Sequence, residues 1–224
     1  MIVDCVGVIP ARGGSKGVRR KNLREVGGIS LVERAMELSD RCGLDESFVN
    51  TDDREIYDRA ILRDHGAYLR REELGSDEAT MAEVLSDFSD KLDVWGLDYR
   101  WMVLLQPTSP FRNSSDVLGC IELADRYGDS VTSVVDVGES HPDRMYYRFG
   151  KSYGNSDDNN SNRQTLTRLY LRNGAVYVLS KEDVCNRNVP PVRPRLYVMP
   201  PERSFNIDTE FDMELAQAWA QRNK

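Results

Sequence analysis

The residues best suited to chemistry lie together near the N-terminus, in the stretch 8–23, VIPARGGSKGVRRKNL. The chain has a formal net charge of -7 and a pI of about 5.0, so this local cluster of positive charge indicates a site for a polyanion. Glycine-rich turns expose backbone N–H groups to phosphate oxygens, and lysine or arginine adds charge. The residues concerned are Arg12, Gly13, Gly14, Ser15, Lys16, Gly17, Arg19, Arg20 and Lys21.

This loop does not follow the two familiar phosphate-binding motifs. The Walker A pattern GxxxxGK[ST] and the dinucleotide pattern GxGxxG are both absent from it. An ordinary βα turn with a solvated basic face is the alternative interpretation. The loop alone therefore predicts anion binding without naming the ligand.

Two apolar strands must position the chemistry. The run from Ile2 to Ile9 predicts a buried parallel strand that Pro10 ends, and Trp101 to Leu105 predicts a central strand followed by Gln106. Because ligands of open α/β sheets gather at the carboxyl ends of the strands, residues 106–110 should face the glycine-rich loop. The expected fold is a Rossmann-like α/β domain, with a mainly parallel sheet and helices on both faces.

Capping residues predict where the helices begin. Ser30 with Glu33 forms a capping box, and Asp52 and Asp53 suit the start of the next helix. Ser76 or Asp77 is expected to cap the helix containing Met81 and Phe88, and Ser114 or Ser115 the following one. Thr209 with Asp212 should begin a closing helix.

Length and composition exclude several classes. A chain of 224 residues with 30% charged residues and a mean hydropathy of -0.55 suits one domain, expected to span 1–224. It shows neither an apolar run of about 20 residues nor a signal peptide, so no membrane role and a cytoplasmic location are expected. The acidic balance argues against nucleic acid as a partner.

Five ordered blocks carry a resemblance to a known family. They are RGGSKGVRRKNL with ISLVERAMELS, LQPTSPFR at 105–112, NGAVYVLS at 173–180 and NIDTEFD at 206–212. In order and spacing they resemble the acylneuraminate cytidylyltransferases, or CMP-sialic acid synthetases. The resemblance covers nearly the whole chain.

The resemblance implies a role for the basic loop in binding CTP. Arg12 and Lys21 match positions that neutralise the triphosphate, and both are candidate catalytic residues together with Asp208. The other implied nucleotide-binding residues are Ala11, Gly13, Gly14, Ser15, Asn22, Arg70, Ala79 and Thr80. Arg71 is the rival of Arg70, which is preferred because the family often has proline at the other position. As a loop residue, Lys21 is expected to be exposed and to add little to stability.

The resemblance also implies a sugar site and a homodimer. Its implied sugar-binding residues are Gln106, Thr108, Arg163, Asn173, Gly174 and Tyr177. Tyr177 could equally be a packing residue on the sheet. The polar, irregular segment at about 138–172 matches a family excursion that pairs with a second subunit, although a plain surface insertion is the preferred interpretation of 152–162.

The implied cofactor is Mg2+, and here the chain departs from the family. The family usually has two acids in a DID motif, whereas this chain has Asn206, Ile207 and Asp208. Asp208 is the expected metal ligand, although it could instead cap the closing helix. Asn206 could offer only a neutral oxygen, which puts a two-metal arrangement in doubt. The proton of the sugar hydroxyl could pass to Asp208 or to a hydroxide on the metal, and both alternatives stay open.

The function implied is activation of a nonulosonic acid, such as N-acetylneuraminate or legionaminate, with CTP to give the CMP-sugar and pyrophosphate. The alternatives are a CMP-Kdo synthetase, another sugar nucleotidyltransferase, and a noncatalytic nucleotide-binding relative, which Asn206 favours. A glycosyltransferase would be expected to carry a DxD-type motif after a central strand, where QPTSP stands instead.

Overall fold

The structure, a computed structural model, describes residues 1–150, 152–154 and 167–222. The strands in these ranges are β1 (Ile2–Pro10), β2 (Glu25–Val26), β3 (Ile29–Ser30), β4 (Glu46–Thr51), β5 (Gly66–Leu69), β6 (Asp98–Leu104), β7 (Val131–Asp136), β8 (Tyr147–Phe149), β9 (Ser152–Gly154), β10 (Tyr170–Ser180) and β11 (Arg195–Val198). The α-helices are α1 (Leu31–Cys42), α2 (Arg54–Leu62), α3 (Met81–Val94), α4 (Ser114–Tyr127), α5 (Lys181–Cys185) and α6 (Glu210–Arg222).

A seven-stranded sheet with the order β11-β7-β10-β6-β1-β4-β5 organises the molecule. Every neighbouring pair is parallel except the two made by β10, which runs antiparallel to β6 and β7. The carboxyl ends of β1 and β6 lie side by side, since Val8 pairs with Leu104. The predicted fold class, a mainly parallel α/β sheet, is confirmed.

Alternation along the central strands places helices on both faces. Cys5 and Ile9 of β1 belong to a buried cluster with α1, α2 and α4. Val6 and Val8 point to the opposite face, where they join a second cluster with α3 and α5. A strand that is buried on both faces reads as a continuous apolar run, which is why β1 and β6 could be identified from sequence.

A third buried cluster attaches the basic loop to the end of the chain. Val18 and Val26, which follow β1, are fully buried against Ile207, Met213 and neighbouring apolar residues. This contact brings residues 206–208, directly before α6, to the glycine-rich loop. The packing thus joins two segments that lie far apart in the sequence.

The helix caps were predicted with mixed success. Ser30 and Glu33 form the expected capping box of α1. The expectation that Ser76 or Asp77 caps the third helix is wrong, because Thr80 caps α3 in its own capping box with Glu83. Asn113, one residue before the predicted Ser114, caps α4.

No helix in the described ranges is both long and apolar enough to cross a membrane. Cys5, Cys42 and Cys120 are buried and Cys185 is exposed, all as free thiols. The short pair β8–β9 lies in the predicted excursion at about 138–172. Residue 151 and residues 155–166 of that excursion, including Arg163, are outside the described residues.

Candidate active site

The basic loop is pressed against residues 206–208 at the carboxyl end of β1. A Cβ atom at Gly17 would collide with the carbonyl oxygen of Asp208, so this close approach requires glycine. The backbone N–H of Ile207 donates to the carbonyl oxygen of Thr108 at 2.9 Å. Thr108 therefore fixes the segment from the other side, through its backbone, and is not among the residues lining either cleft described below.

Lys21 is largely buried, with 14% of its side chain exposed, so the expectation of an exposed loop lysine is wrong. Its Nζ donates to the carbonyl oxygen of Ile207 at 2.8 Å and to Oδ1 of Asp208 at 3.0 Å. Asn22, also buried, donates from Nδ2 to the carbonyl oxygen of Arg12 at 2.9 Å. Lys21 thus lies between the loop and Asp208, while Asn22 holds the loop in shape.

Arg12 and Lys16 share one carboxylate. Arg12 Nη1 lies 2.8 Å from Asp77 Oδ1, and Lys16 Nζ lies 2.7 Å from Asp77 Oδ2. The hydrogen bond from Lys16, followed by that from Arg12, lowers the pKa of Asp77 below its ordinary value. The two cations bind the two oxygens of one anionic group, as they would bind a phosphate.

Arg70 forms a buried ion pair beneath the loop. Its Nη2 lies 3.1 Å from Asp52 Oδ1, an oxygen that also accepts from the backbone N–H of Gly13 at 3.3 Å. Burial lowers the pKa of Arg70, and the charge of Asp52 opposes that shift. Arg71 instead pairs with Asp87 of α3 at 2.9 Å. Of the two rival arginines, Arg70 is the one that reaches the site.

These residues surround a cleft of about 350 Å³, which we call the nucleotide cleft. Its lining contains eight of the predicted residues: Arg12, Ser15, Lys21, Asn22, Arg70, Ala79, Gln106 and Asp208. Gln106, predicted to bind the sugar, thus lies in the nucleotide cleft. The lining also contains seven residues outside the predicted nucleotide-binding and sugar-binding residues: Pro10, Lys16, Gly17, Leu74, Ser76, Met81 and Val84. The helical spacing of Met81 and Val84 was visible in the sequence, but it indicated packing only.

Four predicted nucleotide-binding residues do not line this cleft. Ala11 is fully buried, and the hydroxyl of Thr80 accepts from Glu83 N in the capping box. Gly13 lies beside Asp53, whose Oδ2 would be 2.6 Å from an added Cβ, and its amide is already bound to Asp52. Gly14 has open space around it.

A second cleft, of about 460 Å³, opens beside the first, and we call it the sugar cleft. Three of the predicted sugar-binding residues, Asn173, Gly174 and Tyr177, line it. Burial raises the pKa of the Tyr177 hydroxyl. Arg172 also lines this cleft and was missed, although it stands directly before the NG pair.

Asn173 connects the sheet to the chain that carries the metal candidates. Its Oδ1 accepts from Ser133 Oγ at 2.6 Å and from Ala175 N at 3.1 Å, and its Nδ2 donates to Ser204 Oγ at 2.9 Å. The side-chain amide is thus engaged within the protein. In this structure Asn173 positions the segment that leads to Asn206.

An ion pair with a buried carboxylate holds the same segment one turn earlier. Arg203 donates from Nε and Nη2 to the two oxygens of Asp116, each at 2.9 Å, and Asp116 is fully buried at the start of α4. This bidentate geometry fixes the orientation of both groups. The hydrogen bond to Asp116 also raises the pKa of Arg203. Residues 203–208 are therefore anchored to α4, to β10 and to the basic loop.

Asn206 and Asp208 lie where the two clefts meet. Asp208 lines the nucleotide cleft and Asn206 the sugar cleft, and Asn206 Nδ2 donates to Asp208 Oδ2. A Cβ at Gly174, in the sugar cleft, would come within 3.0 Å of Oε1 of Gln106, in the nucleotide cleft. The clefts thus share a wall, and a group bound in one would approach a group bound in the other.

The donor set at this wall fits Mg2+. Asp208 supplies a carboxylate, and Asn206 Oδ1 is a buried oxygen without a hydrogen-bond partner. Mg2+ is commonly held by one or two carboxylates together with substrate phosphates and water. The described residues contain no group of three or more His, Cys, Asp or Glu side chains able to hold a metal. These residues alone would therefore hold the ion weakly and need the oxygens of a bound phosphate.

The fold and the cationic cleft at the carboxyl ends of parallel strands define a nucleotide-binding α/β protein. The family model described as Cytidylyltransferase matches residues 6–188. The chain therefore belongs to the cytidylyltransferase family.

Two relatives and one solved structure show the range of similar proteins. An N-acylneuraminate cytidylyltransferase of Escherichia coli O18:K1:H7 is 32% identical over 224 residues, covering 96% of this chain and 52% of the relative. A CMP-N,N'-diacetyllegionaminic acid synthase of Legionella pneumophila is 29% identical over an alignment that covers 97% of this chain and 96% of the relative. A solved CMP:2-keto-3-deoxy-manno-octonic acid synthetase complexed with CTP superposes with a TM-score of 0.73 at 17% identity, covering 99% of this chain and 100% of that one.

The chain spans about half the length of the N-acylneuraminate cytidylyltransferases among these relatives. It spans nearly all of the legionaminic acid synthase. The solved structure, at 17% identity, supports the fold alone. The predicted family resemblance is confirmed.

Proposed function

We propose that this protein transfers the cytidylyl group of CTP to a nonulosonic acid, giving the CMP-sugar and pyrophosphate. The observation that carries the proposal is the shared wall of Asn206 and Asp208 between a cationic cleft and a second polar cleft. This arrangement suits a reaction between two bound molecules. Membership of the cytidylyltransferase family supports CTP as the donor.

In the proposed reaction, a sugar hydroxyl oxygen forms a bond to the α-phosphorus of CTP. The bond from that phosphorus to the bridging oxygen breaks, pyrophosphate leaves with the electron pair, and the proton of the sugar hydroxyl passes to Asp208 or to solvent. Negative charge is the main obstacle, so catalysis depends on positioning and on cations at the phosphates. Arg12, Lys16 and Lys21 supply those cations, with Ser15 as a neutral donor.

The nucleoside end of CTP would lie deeper in the nucleotide cleft. Arg70 and Ala79 line the cleft, and the apolar side chains of Met81 and Val84 offer a surface for a flat base or a ribose. Arg70 is preferred to Arg71 because the latter is directed to Asp87. Gly14 and Ser15 remain on the loop that would cover the phosphates.

The sugar acid would occupy the sugar cleft. Arg172 lines this cleft, and we assign it to the sugar carboxylate, since a guanidinium can bind both oxygens of a carboxylate. Tyr177 offers a hydroxyl for the sugar hydroxyls, and Gln106 lies on the nucleotide side of the shared wall, next to Gly174. Arg163, which the family resemblance assigns to the anionic ligand, is outside the described residues.

We assign Mg2+ to Asp208 and Asn206, with the phosphates of CTP completing its ligands. When bound, the ion supplies positive charge that stabilises the phosphate oxygens as the leaving group departs. Asp208 adds one negative charge and Asn206 adds none. Lys21 Nζ, which lies 3.0 Å from Asp208, keeps that carboxylate oriented toward the cleft.

A homodimer in the cytoplasm is the expected setting. The ends of the predicted excursion carry exposed apolar side chains that suit contact with a second subunit, including Met145, Tyr146 and Leu171. The cytoplasm is proposed because it supplies CTP. Sedimentation velocity of the purified chain tests the dimer: a monomer at micromolar concentration would contradict it.

The experiment that tests the function is pyrophosphate release with each of the four nucleoside triphosphates and Mg2+. Each is assayed with N-acetylneuraminate, legionaminate, Kdo or no acceptor. Release with CTP and a nonulosonic acid is the expected result, and the preferred acid identifies the substrate. Release that requires Kdo would favour the CMP-Kdo synthetase alternative. CTP binding without any release would favour the noncatalytic alternative that Asn206 suggests.

A further inference from the structure

A third cavity, lined by arginines, lies away from both clefts. It has a volume of about 250 Å³ and lies between α1 and residues 107–114, where α4 begins. We call it the arginine pocket, and its polar lining consists of Arg34, Arg41, Ser109, Arg112, Asn113 and Ser114. It shares no lining residue with the nucleotide cleft or the sugar cleft.

The three arginines of this pocket have no carboxylate partner within the described ranges. The ion pairs there include none made by Arg34, Arg41 or Arg112. Two carboxylates, Glu37 and Asp116, lie near enough to act electrostatically on Arg34 and Arg112, respectively. Each is already paired with another arginine: Glu37 with Arg63 at 3.6 Å and Asp116 with Arg203 at 2.9 Å. Arg34 Nη2 donates to the carbonyl oxygen of Val26, and Arg112 Nη1 donates to those of Gln106 and Ala175, but neutral carbonyl oxygens do not balance the charge. Three cations without a carboxylate partner therefore line one small cavity, in a chain whose net charge is -7.

Buried donors around the pocket also lack partners. Arg112 is 6% exposed and its Nε is unpartnered, and Ser109 is 1% exposed with an unpartnered Oγ. Arg34 Nε is a third such atom. Burial lowers the pKa of Arg112 to about 9, because its charge is removed from water and the nearby charge of Asp116 offsets this only in part. Buried donors left unpaired are costly, so this arrangement favours an anion that accepts from them.

The start of α4 adds to this positive potential. Asn113 caps the helix and Ser114 is its first residue, and both line the pocket. A helix of 14 residues carries partial positive charge at its N-terminus, where anions bind through backbone N–H groups. The helix terminus and the arginines therefore attract the same kind of ligand.

We propose that the arginine pocket binds a phosphate or diphosphate group. Guanidinium groups bind two oxygens of such an anion at once, and three of them can neutralise a multiply charged oxyanion. The cavity volume of about 250 Å³ is sufficient for a small oxyanion. This site goes beyond the proposed transferase reaction and does not depend on it.

The test is titration calorimetry with inorganic phosphate, diphosphate and glycerol 3-phosphate, without CTP or sugar. Arg41→Gln is the main variant because Arg41 is exposed and, within the described ranges, its side chain donates only from Nε to the carbonyl oxygen of Glu37. Loss of one charge-assisted hydrogen bond should weaken binding about tenfold. The matched control is Arg126→Gln, an exposed arginine paired with Glu122, which should change binding less than about twofold.

A second variant separates this pocket from the nucleotide cleft, which also attracts phosphate. Lys16→Gln removes a cation of that cleft. It should not change the phosphate binding that Arg41→Gln weakens. NMR of the arginine side chains should show the Nε–H signal of Arg112 shifting with phosphate. The proposal is overturned if no phosphate binds at millimolar concentrations, or if Arg41→Gln and Arg126→Gln weaken phosphate binding equally. It is also overturned if Lys16→Gln is the one variant that loses phosphate binding. Preference among the three ligands distinguishes free oxyanions from an organic phosphate ester.

Discussion

Asp77 occupies the two cations that the proposed function assigns to the triphosphate. Its carboxylate oxygens lie 2.8 Å from Arg12 Nη1 and 2.7 Å from Lys16 Nζ. Bound CTP would have to displace this carboxylate before its phosphates could reach either side chain. We therefore predict that Asp77→Asn binds CTP more tightly than the unmodified protein does.

The size of the effect follows from the exposure of the two pairs. The Asp77 side chain is 44% exposed, and the Lys16 side chain is 80% exposed. Such surface pairs are individually weak, so breaking both should oppose CTP binding only modestly. Removing that cost should lower the Kd for CTP about fivefold. Because the pairs are exposed, the gain should shrink at high salt.

The pH dependence has a definite sign. Lys16 and Arg12 lower the pKa of Asp77 from its ordinary value of 3.8, so the carboxylate stays charged throughout the neutral and mildly acidic range. The difference in CTP affinity between the two proteins should therefore be constant from about pH 8 to about pH 5. The two affinities should become equal only as the pH falls through the lowered pKa of Asp77, where protonation of this carboxylate releases the cations.

The assay is titration calorimetry with CTP, repeated at low and high salt. The control is Glu78→Gln, which removes the same charge one residue along the loop, where Glu78 is exposed and makes no ion pair with any described residue. Tighter binding in Asp77→Asn but not in Glu78→Gln is the expected result. Equal gains in both variants would refute the displacement argument in favour of a general charge effect, and weaker binding in Asp77→Asn would reverse it.

Three further predictions concern the contact of the loop with residues 206–208. Gly17→Ala should cost about 1–3 kcal/mol and lower the Tm by several degrees, because its Cβ would strike the carbonyl oxygen of Asp208, whereas Gly14→Ala, with open space, should not change the melting curve. Lys21→Ala should abolish pyrophosphate release and also lose about 1–2 kcal/mol in denaturant unfolding, since it is a buried donor to two oxygens. Unchanged stability would contradict that contact. Asn206→Asp should have a lower Tm than the unmodified protein without Mg2+, because two adjacent carboxylates repel each other, and its Tm should rise more when Mg2+ is added. An equal rise of the Tm in both proteins would place residue 206 outside the metal site.

The fold was predictable because its signals are local. The apolar run of β1 and the capping box of Ser30 and Glu33 each depend on a few neighbouring residues. The third helix was misplaced at its start because the sequence there offers several capping residues in succession. Thr80 is the one followed, three positions later, by an acid that completes a capping box.

The site was predictable in its residue types and less so in its contacts. Glycines and cations after a strand indicated an anion site, and family resemblance supplied the roles. The sequence did not reveal that Asp77 would bridge Arg12 and Lys16, or that Arg203 would bind Asp116. These pairs join residues that are distant in the chain, and many exposed acids could have served equally well as partners.

Gly17 and Asn173 show that residue type alone does not separate a ligand-binding role from a structural one. Both were assigned to ligand binding, and both have a structural task in the described chain: Gly17 admits the backbone of Asp208, and Asn173 ties Ser204 to the sheet. A residue type that suits a ligand also suits the positioning of its neighbours. Only the local contacts distinguish the two roles.

The pairing of Asn206 with Asp208 explains how the wall between the clefts can be formed without a cation. Two carboxylates at these positions would repel each other unless a cation lay between them. Here the amide of Asn206 donates to Asp208, and Lys21 binds the other oxygen of the same carboxylate at 3.0 Å. Contacts within the protein thus hold this segment in place. With Asn206 in place of a second carboxylate, the wall offers a metal one negative charge fewer. An ion recruited to this wall must therefore arrive largely through the phosphates of the nucleotide, which makes its binding dependent on CTP.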